Sequence, residues 1–538
     1  METSNLRCDA VESNEVTRQD SNATVLHISQ LPTELLAEMI RLALPSVDIM
    51  LPHMDVCVFV HVRGLYTMRL IAKQWQEIID GTPTFWTYVL STLPPHVNKA
   101  TISRSGTCPL TIISAAMTSD NVDNHPSTDN FLGSLAHTYP RWSAYIGPVV
   151  SGYLDKPAAH LQTIILGEGH GTEAFELLGG STTGLRHVDI RKAPIQWKAG
   201  LFTQLKVLKL EKVFSDGLTT THLLEILRAS PCLEHLELSL MHAAAIDHPP
   251  SSPVITFPHL RHIYFYLCRG DFIGAILRHI QAPACLQFNL TISLRYGEPK
   301  LPRFLNEDLW TFKELLRAIH NRYGSSEIIL DSGHFEWNSP APGARDHPAF
   351  SVFIFCRLPV PCIQWVENIL QSDRGLSICF NCHTNMPREV YEILAPMQCV
   401  TRVEIDNTLI RQEVLIALGF AGEPQSANPS LPSLPCLREL VLGGRNWTAQ
   451  NLLDMVRSRF NSRLWEGTGR TPLTISLPRR AFGPRIYPQA FVDLTTLAEI
   501  RGTDGIECVQ FVGPEDLDGR LAITWNEETS APAWGLRR

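Results

Sequence analysis

The chain has 538 residues, 44% hydrophobic and 19% charged, and its 46 Lys and Arg against 54 Asp and Glu leave a formal net charge of −8. That is enough apolar material for large cores in more than one domain, while the acidic balance argues against phosphate backbones or anionic lipid as main partners. No stretch approaches the roughly 18 consecutive apolar residues of a membrane span, since even LPHMDVCVFVHV is broken by His53, Asp55 and His61. The opening METSNLRCDAVESNEV has neither a basic lead nor an apolar run, so a reducing cytoplasmic or nuclear setting is expected. The 13 cysteines are scattered without framework spacing and are expected to be reduced thiols. Cys57, Cys232, Cys285 and Cys436 stand beside apolar residues and are expected in the core.

Residues 1 to 26 are polar and non-periodic, the pattern of a disordered leader. Behind Leu31-Pro32-Thr33, residues Leu35, Leu36, Met39 and Ile40 recur at helical spacing; Pro32 sets the entry angle and Thr33 is expected to cap the first amides. A long apolar connector, residues 45 to 64, leads to a second helical stretch with Met68, Ile71, Trp75, Ile78 and Ile79 on one face and Arg69, Lys73, Gln76 and Glu77 on the other. Thr82-Pro83 then breaks the helix.

Leu31-Pro32, the short helix, the second helix around Trp75 and the turn Thr82-Pro83-x-Phe85-Trp86 together resemble the F-box, in the version common in fungal, basidiomycete-type families. Ile71-Ala72-Lys73-Gln74-Trp75 stands where that pattern has Val-Cys-x-x-Trp, with Ala72 in place of Cys, and the connector is longer than the usual turn. The resemblance covers roughly a tenth of the chain. It implies docking on the adaptor of a Skp/cullin/F-box ubiquitin ligase, with Leu31, Pro32, Leu35, Leu36, Ile40, Ile71 and Trp75 shaping or flanking the docking surface.

Pro94-Pro95 is expected to end the helical region, and Leu110 to Ile113 reads as a short strand within SRSGTCPLTI, a phrase that also resembles the junction found in many fungal F-box chains. FLGSLAHTYPRWSAYIG returns to helical spacing. From residue 161 an internal repeat emerges: LQTIIL (161), LRHVDI (185), LKVLKL (205), LEHLEL (233) and LRHIYF (260) are each apolar at positions one, four and six, with start-to-start spacings of 24, 20, 28 and 27 residues. Positions four and six share one face of a strand, and THLLEILRASP and FIGAILRHIQAP supply returning helices. The pattern resembles the leucine-rich repeat in an irregular form without its Asn ladder, which implies stacked units in a curved solenoid, or horseshoe.

Later units are more degenerate. LQFNLTISL, SEIIL, GLSICF, VTRVEI, LRELVL, PLTISL and IECVQF read as strands; EDLWTFKELLRAIHNRYG, VPCIQWVENILQS, PREVYEILAPM and NLLDMVRSRFNSRLWEG read as helices. FEWNSPAPGARDHPAF and GFAGEPQSANPSLPSLP are rich in loop-forming residues and are expected to be exposed loops.

Sharper motifs have bland readings that fit better. CFNCH at 379 to 383 has the spacing of c-type haem attachment, and Cys379, Cys382 and His383 are also possible zinc ligands, but no export signal and no second ligand pair accompany them. GEGHGTEAF lacks the G-x-G-x-x-G spacing of a dinucleotide loop, and no nucleophile, metalloprotease or P-loop string occurs. Arg470, Arg479, Arg480 and Arg485 lack the interleaved aromatics of a base-stacking surface.

The expected class is therefore α/β: a leader to residue 26, a small helical F-box-like domain over 27–92, a junction over 93–160, a leucine-rich-repeat-like solenoid over 161–525 and a loose tail over 526–538. The resemblance implies a non-enzymatic substrate receptor that joins a Skp-type adaptor and cullin core to an unidentified target protein for ubiquitin-dependent degradation. Neither cofactor nor metal nor catalytic residues are expected. The alternative is a non-catalytic repeat scaffold, with the amino-terminal helices serving as its cap.

Overall fold

A computed structural model describes residues 31–45, 54–114, 128–167, 174–213, 218–241, 253–293, 310–323, 326–331, 334–339, 350–355, 360–369, 375–380, 397–405, 434–442, 449–460, 473–478 and 506–512, with single-position breaks, and a few further positions. The expected leader, residues 419–433 of the loop GFAGEPQSANPSLPSLP, the four arginines from Arg470 to Arg485, and Cys382 and His383 lie outside the described residues, while Leu434 at the end of that loop is buried and not exposed as expected. Two compact units divide the chain, Met1–Leu110 and Thr111–Arg538.

In the first unit, α1 (Thr33–Ala43) starts behind Pro32, whose ψ of 144° keeps the chain extended up to the helix. No side chain caps its first amides, so Thr33 does not take the capping role expected of it. The apolar connector is itself partly helical: α2 spans Met54–Met68, because Val58, Val62 and Leu65 recur at one helical face and are buried. The stretch expected as one helix through Met68 and Ile79 is broken by a turn, closed by Leu70 N–H to Thr67 (3.0 Å) and Ile71 N–H to Met68 (3.1 Å). Ala72 is extended, and α3 (Lys73–Gly81) follows.

A single 3-10 turn (Pro83–Trp86) leads to β1 (Tyr88–Leu90) and α4 (Pro95–Arg104). The Pro94-Pro95 pair thus opens a helix where it was expected to end one; at the first helical position proline forgoes only an amide that has no helical partner. The core of this unit is Leu36, Ile40, Leu44, Leu65, Ile78, Ile79, Phe85 and Trp86. Trp86 donates its indole N–H to the Ile79 carbonyl at 2.8 Å, and the Arg104 guanidinium lies 4.6 Å from its ring centre. Asp80 ties Arg69 (2.8 Å) and Arg104 (3.1 Å) beside that ring. Buried Asn98 donates to the Leu90 carbonyl at 2.9 Å, pinning β1 to α4.

The second unit is mixed α/β with a large parallel sheet. After β2 (Leu110–Ile113) and α5 (Thr128–Leu135), the stretch expected to stay helical passes through a 3-10 segment holding Pro140 into β3 (Trp142–Gly147). β4 (Thr163–Leu166), β5 (His187–Arg191), β6 (Val207–Glu211), β7 (His235–Ser239) and β9 (His262–Cys268) form on the five repeat cores. α6 (Thr220–Arg228) precedes β7, α7 (Gly270–Leu277) follows β9, and the short β8 (Ile255–Thr256) and β10 (Ile280–Gln281) pair beside them. β3, β4, β5, β6, β7, β9 and β11 (Gln287–Ser293) pair in that order, all parallel.

Two hydrogen-bond devices recur along this ladder. The carbonyls of Gln162, Arg186, Lys206, Glu234 and Arg261, each the second residue of a core, accept two successive N–H groups from the next unit at 2.7 to 3.2 Å. The residue after each of β5, β6 and β7 is left-handed: Lys192 (φ 51°), Lys212 (φ 49°) and Leu240 (φ 55°). Each donates its N–H to the neighbouring strand, at 2.8, 3.0 and 2.7 Å. Alternate strand residues, such as Val188 and Ile190, Leu208 and Leu210, and Leu236 and Leu238, are fully buried and form one apolar face.

The stacking order then reverses. α8 (Trp310–Tyr323) carries the chain past the next position to β12 (Ser326–Asp331), and β13 (His334–Ser339) and β14 (Phe350–Phe355) return, giving the lateral order β11, β14, β13, β12 with β13 antiparallel to both neighbours. FEWNS is therefore strand and not the expected loop; Phe335 and Trp337 on its inner face are completely buried. After α9 (Val360–Ile369), β15 (Leu376–Phe380) resumes parallel pairing on β12, followed by β16 (Val400–Ile405), β17 (Glu439–Leu442), then α10 (Ala449–Phe460), β18 (Leu473–Pro478) and β19 (Ile506–Val512).

The left-handed positions make a direct test of the recurrent turn. An L-residue there carries about 1–2 kcal/mol of strain, which glycine relieves at about 0.5–1 kcal/mol of unfolded-chain entropy. Lys212→Gly should hold or raise stability, whereas the β-branched Lys212→Val should lower it by about 1–3 kcal/mol; chemical denaturation of the two variants checks the difference.

Candidate functional site

α1 carries apolar residues on two sides. Leu36 and Ile40 point inward and are no more than 1% exposed, while Leu35, Met39 and Leu42, spaced four and three apart, form an outer stripe with Leu35 53% and Leu42 71% exposed. α2 repeats the arrangement. Val58, Val62 and Leu65 face the interior, and Val56, Phe59 and Val60 face out. In the turn between α2 and α3, Leu70 and Ile71 are 87% and 62% exposed. Among the described residues, eight of the eleven exposed large apolar side chains lie in the first unit, which holds 110 of the 538 residues. Apolar exposure among the described residues is thus concentrated in the first unit.

Of the residues singled out from the sequence, Leu35, Pro32 and Ile71 are exposed, Leu31 and Trp75 are half-buried against the core, and Leu36 and Ile40 are part of the core itself. The sequence reading missed Met39, Leu42, Val56, Phe59, Val60 and Leu70 as surface residues. A signal for the first two was available: an apolar stripe at residues 35, 39 and 42 offset from a second at 36, 40 and 44 means that one must face outward. Val56, Phe59 and Val60 were hidden by taking the connector as non-helical.

Around the stripes the polar groups are modest. Arg41 donates to Glu38 at 2.8 Å, and that hydrogen bond holds the fully exposed Glu38 carboxyl below the usual carboxylate range. Lys73 and Glu77 approach to 3.9 Å on the outside of α3. His61 is different. It packs edge-on to Tyr88, with ring centres 5.3 Å apart, and its Nδ1 meets the Pro45 carbonyl at 3.2 Å, which assigns the proton to Nδ1. Burial drives its pKa below 6.5, opposed by that hydrogen bond.

The second unit contains no comparable apolar exposure among its described residues, and no group of three or more metal-ligating side chains occurs among the residues described. All nine described cysteines are free; Cys285 is buried, but Cys232, expected in the core, is exposed. Cys379 lies in β15 and is half-buried. Among the described residues no helix is long and apolar enough to cross a membrane. No protein-family model matches the chain, and no curated protein matches it.

His61 predicts a pH dependence. Its folded pKa lies below its unfolded value of 6.5, so the unfolded chain takes up the proton first on acidification, and stability is lost as pH falls from 6.5 toward the lowered value. Part of the stability present at about pH 7.5 is therefore lost by about pH 5.5. Urea unfolding at the two values should show a smaller drop for His61→Gln than for the native chain.

Proposed function

We propose that the first unit is an F-box-like docking domain for a Skp-type adaptor, and that the chain is a non-catalytic receptor that presents a partner protein to a Skp/cullin/F-box ubiquitin ligase. The observation that carries the reading is the outward exposure of apolar side chains: Leu35, Met39 and Leu42 on α1, Val56, Phe59 and Val60 on α2, and Leu70 and Ile71 in the turn. It lies in the segment whose Leu31-Pro32, Trp75 and Thr82-Pro83-x-Phe85-Trp86 resemble the F-box. Burial of aliphatic helix stripes against a partner is a common mode of helix recognition, with anchors at three- and four-residue intervals.

The parallel ladder supports the companion half of the reading. Short parallel strands, one per repeat core, with the same double-acceptor carbonyl in each and the helices α6 and α7 next to β7 and β9, agree with an irregular leucine-rich-repeat body that offers a long strand-lined surface to a target. Ubiquitin transfer itself then belongs to other subunits.

The test uses the full chain and a purified Skp-type adaptor. Covering a half-exposed leucine recovers about 1 kcal/mol, and a carboxylate in its place adds a desolvation cost. Leu35→Asp, Leu42→Asp and Leu70→Asp combined should weaken adaptor binding by about a hundredfold or more, while leaving the thermal melt within a few degrees because none of the three is in the core. Adaptor binding that is absent in the native chain, or unchanged in the variant, would refute the assignment.

A further inference from the structure

On the open face of the ladder, β7 and β9 set two imidazoles side by side. His235 and His262 stand in register, with ring centres 5.7 Å apart and planes 35° from parallel. Tyr264 closes the group from the same strand as His262: its ring centre lies 5.2 Å from that of His235, at 27°. The three rings are half-buried, whereas the alternate residues Leu236, Leu238, Ile263 and Phe265 fill the closed face and are no more than 1% exposed. A ring pushed off this stack can therefore move only outward, away from the packed face.

Charges reach the pair from each strand beside it. On the β6 side Lys209 lies 3.2 Å from Glu237, and Val207 stands between His235 and His187 of β5. Farther along, Arg191 is held by Asp189 at 3.0 Å and Glu211 at 4.0 Å. On β7 itself Glu237 Oε2 lies 3.4 Å from His235 Nε2, while Glu234 is taken by Lys206 at 3.1 Å. Arg261 directly precedes His262, and Gln287 of β11 meets His262 Nδ1 with its Oε1 at 3.2 Å. Behind Tyr264, burial pushes the Cys285 thiol up to about 12, so it stays neutral, and Arg322 is held on the Cys285 carbonyl at 3.1 Å.

One ionised carboxylate thus serves two imidazoles. Burial alone would raise the Glu237 carboxyl, but its contacts with His235 and Lys209 bring it down to about 2, so it is ionised wherever imidazoles titrate. That single charge, shared with Lys209, can offset one imidazolium. A second has only the neutral Gln287 carboxamide and the Arg261 guanidinium beside it. Burial holds the His262 pKa below 6.5; the Gln287 hydrogen bond opposes this, and the charges of His235 and Arg261 add to it.

We propose that His235 and His262 form a proton switch on the open face of the second unit. When both rings carry a proton the like charges part them and Tyr264 loses its place on the stack, which changes the charge and the shape of the surface between β7 and β9. The inference goes beyond the receptor reading, and it holds or fails without reference to the adaptor.

The test is an NMR titration of isotope-labelled histidine and tyrosine rings in the full chain, from about pH 8 to about pH 5, with signals assigned by single substitution. The His262 midpoint should rise by about half a pH unit in His235→Gln, and equally in His235→Phe, which keeps a flat ring in the stack but carries no charge. His222→Gln, on α6, should leave that midpoint unchanged. In the native chain the Tyr264 ring signal should shift in step with the His262 titration. A His262 midpoint that stays put in both His235 variants overturns the proposal. A midpoint that rises with glutamine and not with phenylalanine does so as well, because burial under a ring and not charge then sets it. So does a Tyr264 signal that is flat across the range; this is read on the native chain and decides the matter even where a variant melts early.

Discussion

The first unit depends on the limited room inside a small helical core. Eight side chains, gathered on Trp86 and locked by Asp80 between two arginines, fill that core, and each of α1 and α2 can turn only one of its apolar stripes toward it. A core this small has limited inner surface against which to cover the other stripes. The outer leucines, valines and Phe59 are therefore left in water, at a cost in solubility that is recovered only when something covers them. The separation of inner and outer stripes would also make the fold and the proposed docking independent, since Leu36 and Ile40 are buried in the core while Leu35 and Leu42 are exposed.

In the second unit the governing device is the carbonyl that accepts two amides from the next repeat. It fixes register from β4 through β11, so that one apolar face stays closed and open-face side chains line up in rows. The reversal at β12 to β14 alters what the rows contain. By reversing the lateral order of β12 to β14 it sets β12 beside β15, so that Glu327 stands in register with Ser377, where stacking in chain order would have set β14. Which side chains line up there is thus a product of topology as much as of composition.

Much of this was legible in the residues. The five repeat cores became strands because apolar positions four and six repeat in every unit, and their neighbours in space are their neighbours in sequence. The misreadings share a cause: a local breaker or polar residue outweighed periodicity. Pro94-Pro95 was taken as a stop although proline equally suits a helix start. The acids and prolines around Phe335 and Trp337 concealed an alternation of period two that marks a strand. The turn at Leu70-Ile71 breaks an apolar pattern that continues through it, because Ile71 spends its side chain outside. Which leucines lie in the core and which on the ridge could not be assigned from one helix alone, since α1 has two overlapping apolar stripes and only the position of α3 decides between them.

The central claim is that the outward stripes of α1, α2 and the following turn are where an adaptor docks. Hydrogen exchange of the full chain, followed by mass spectrometry with and without a Skp-type adaptor, tests it most directly. The account predicts slowed exchange in peptides covering 33–45 and 54–72, with the strands of the second unit unchanged. Unaltered exchange in those two segments, or slowing confined to the second unit, would contradict it.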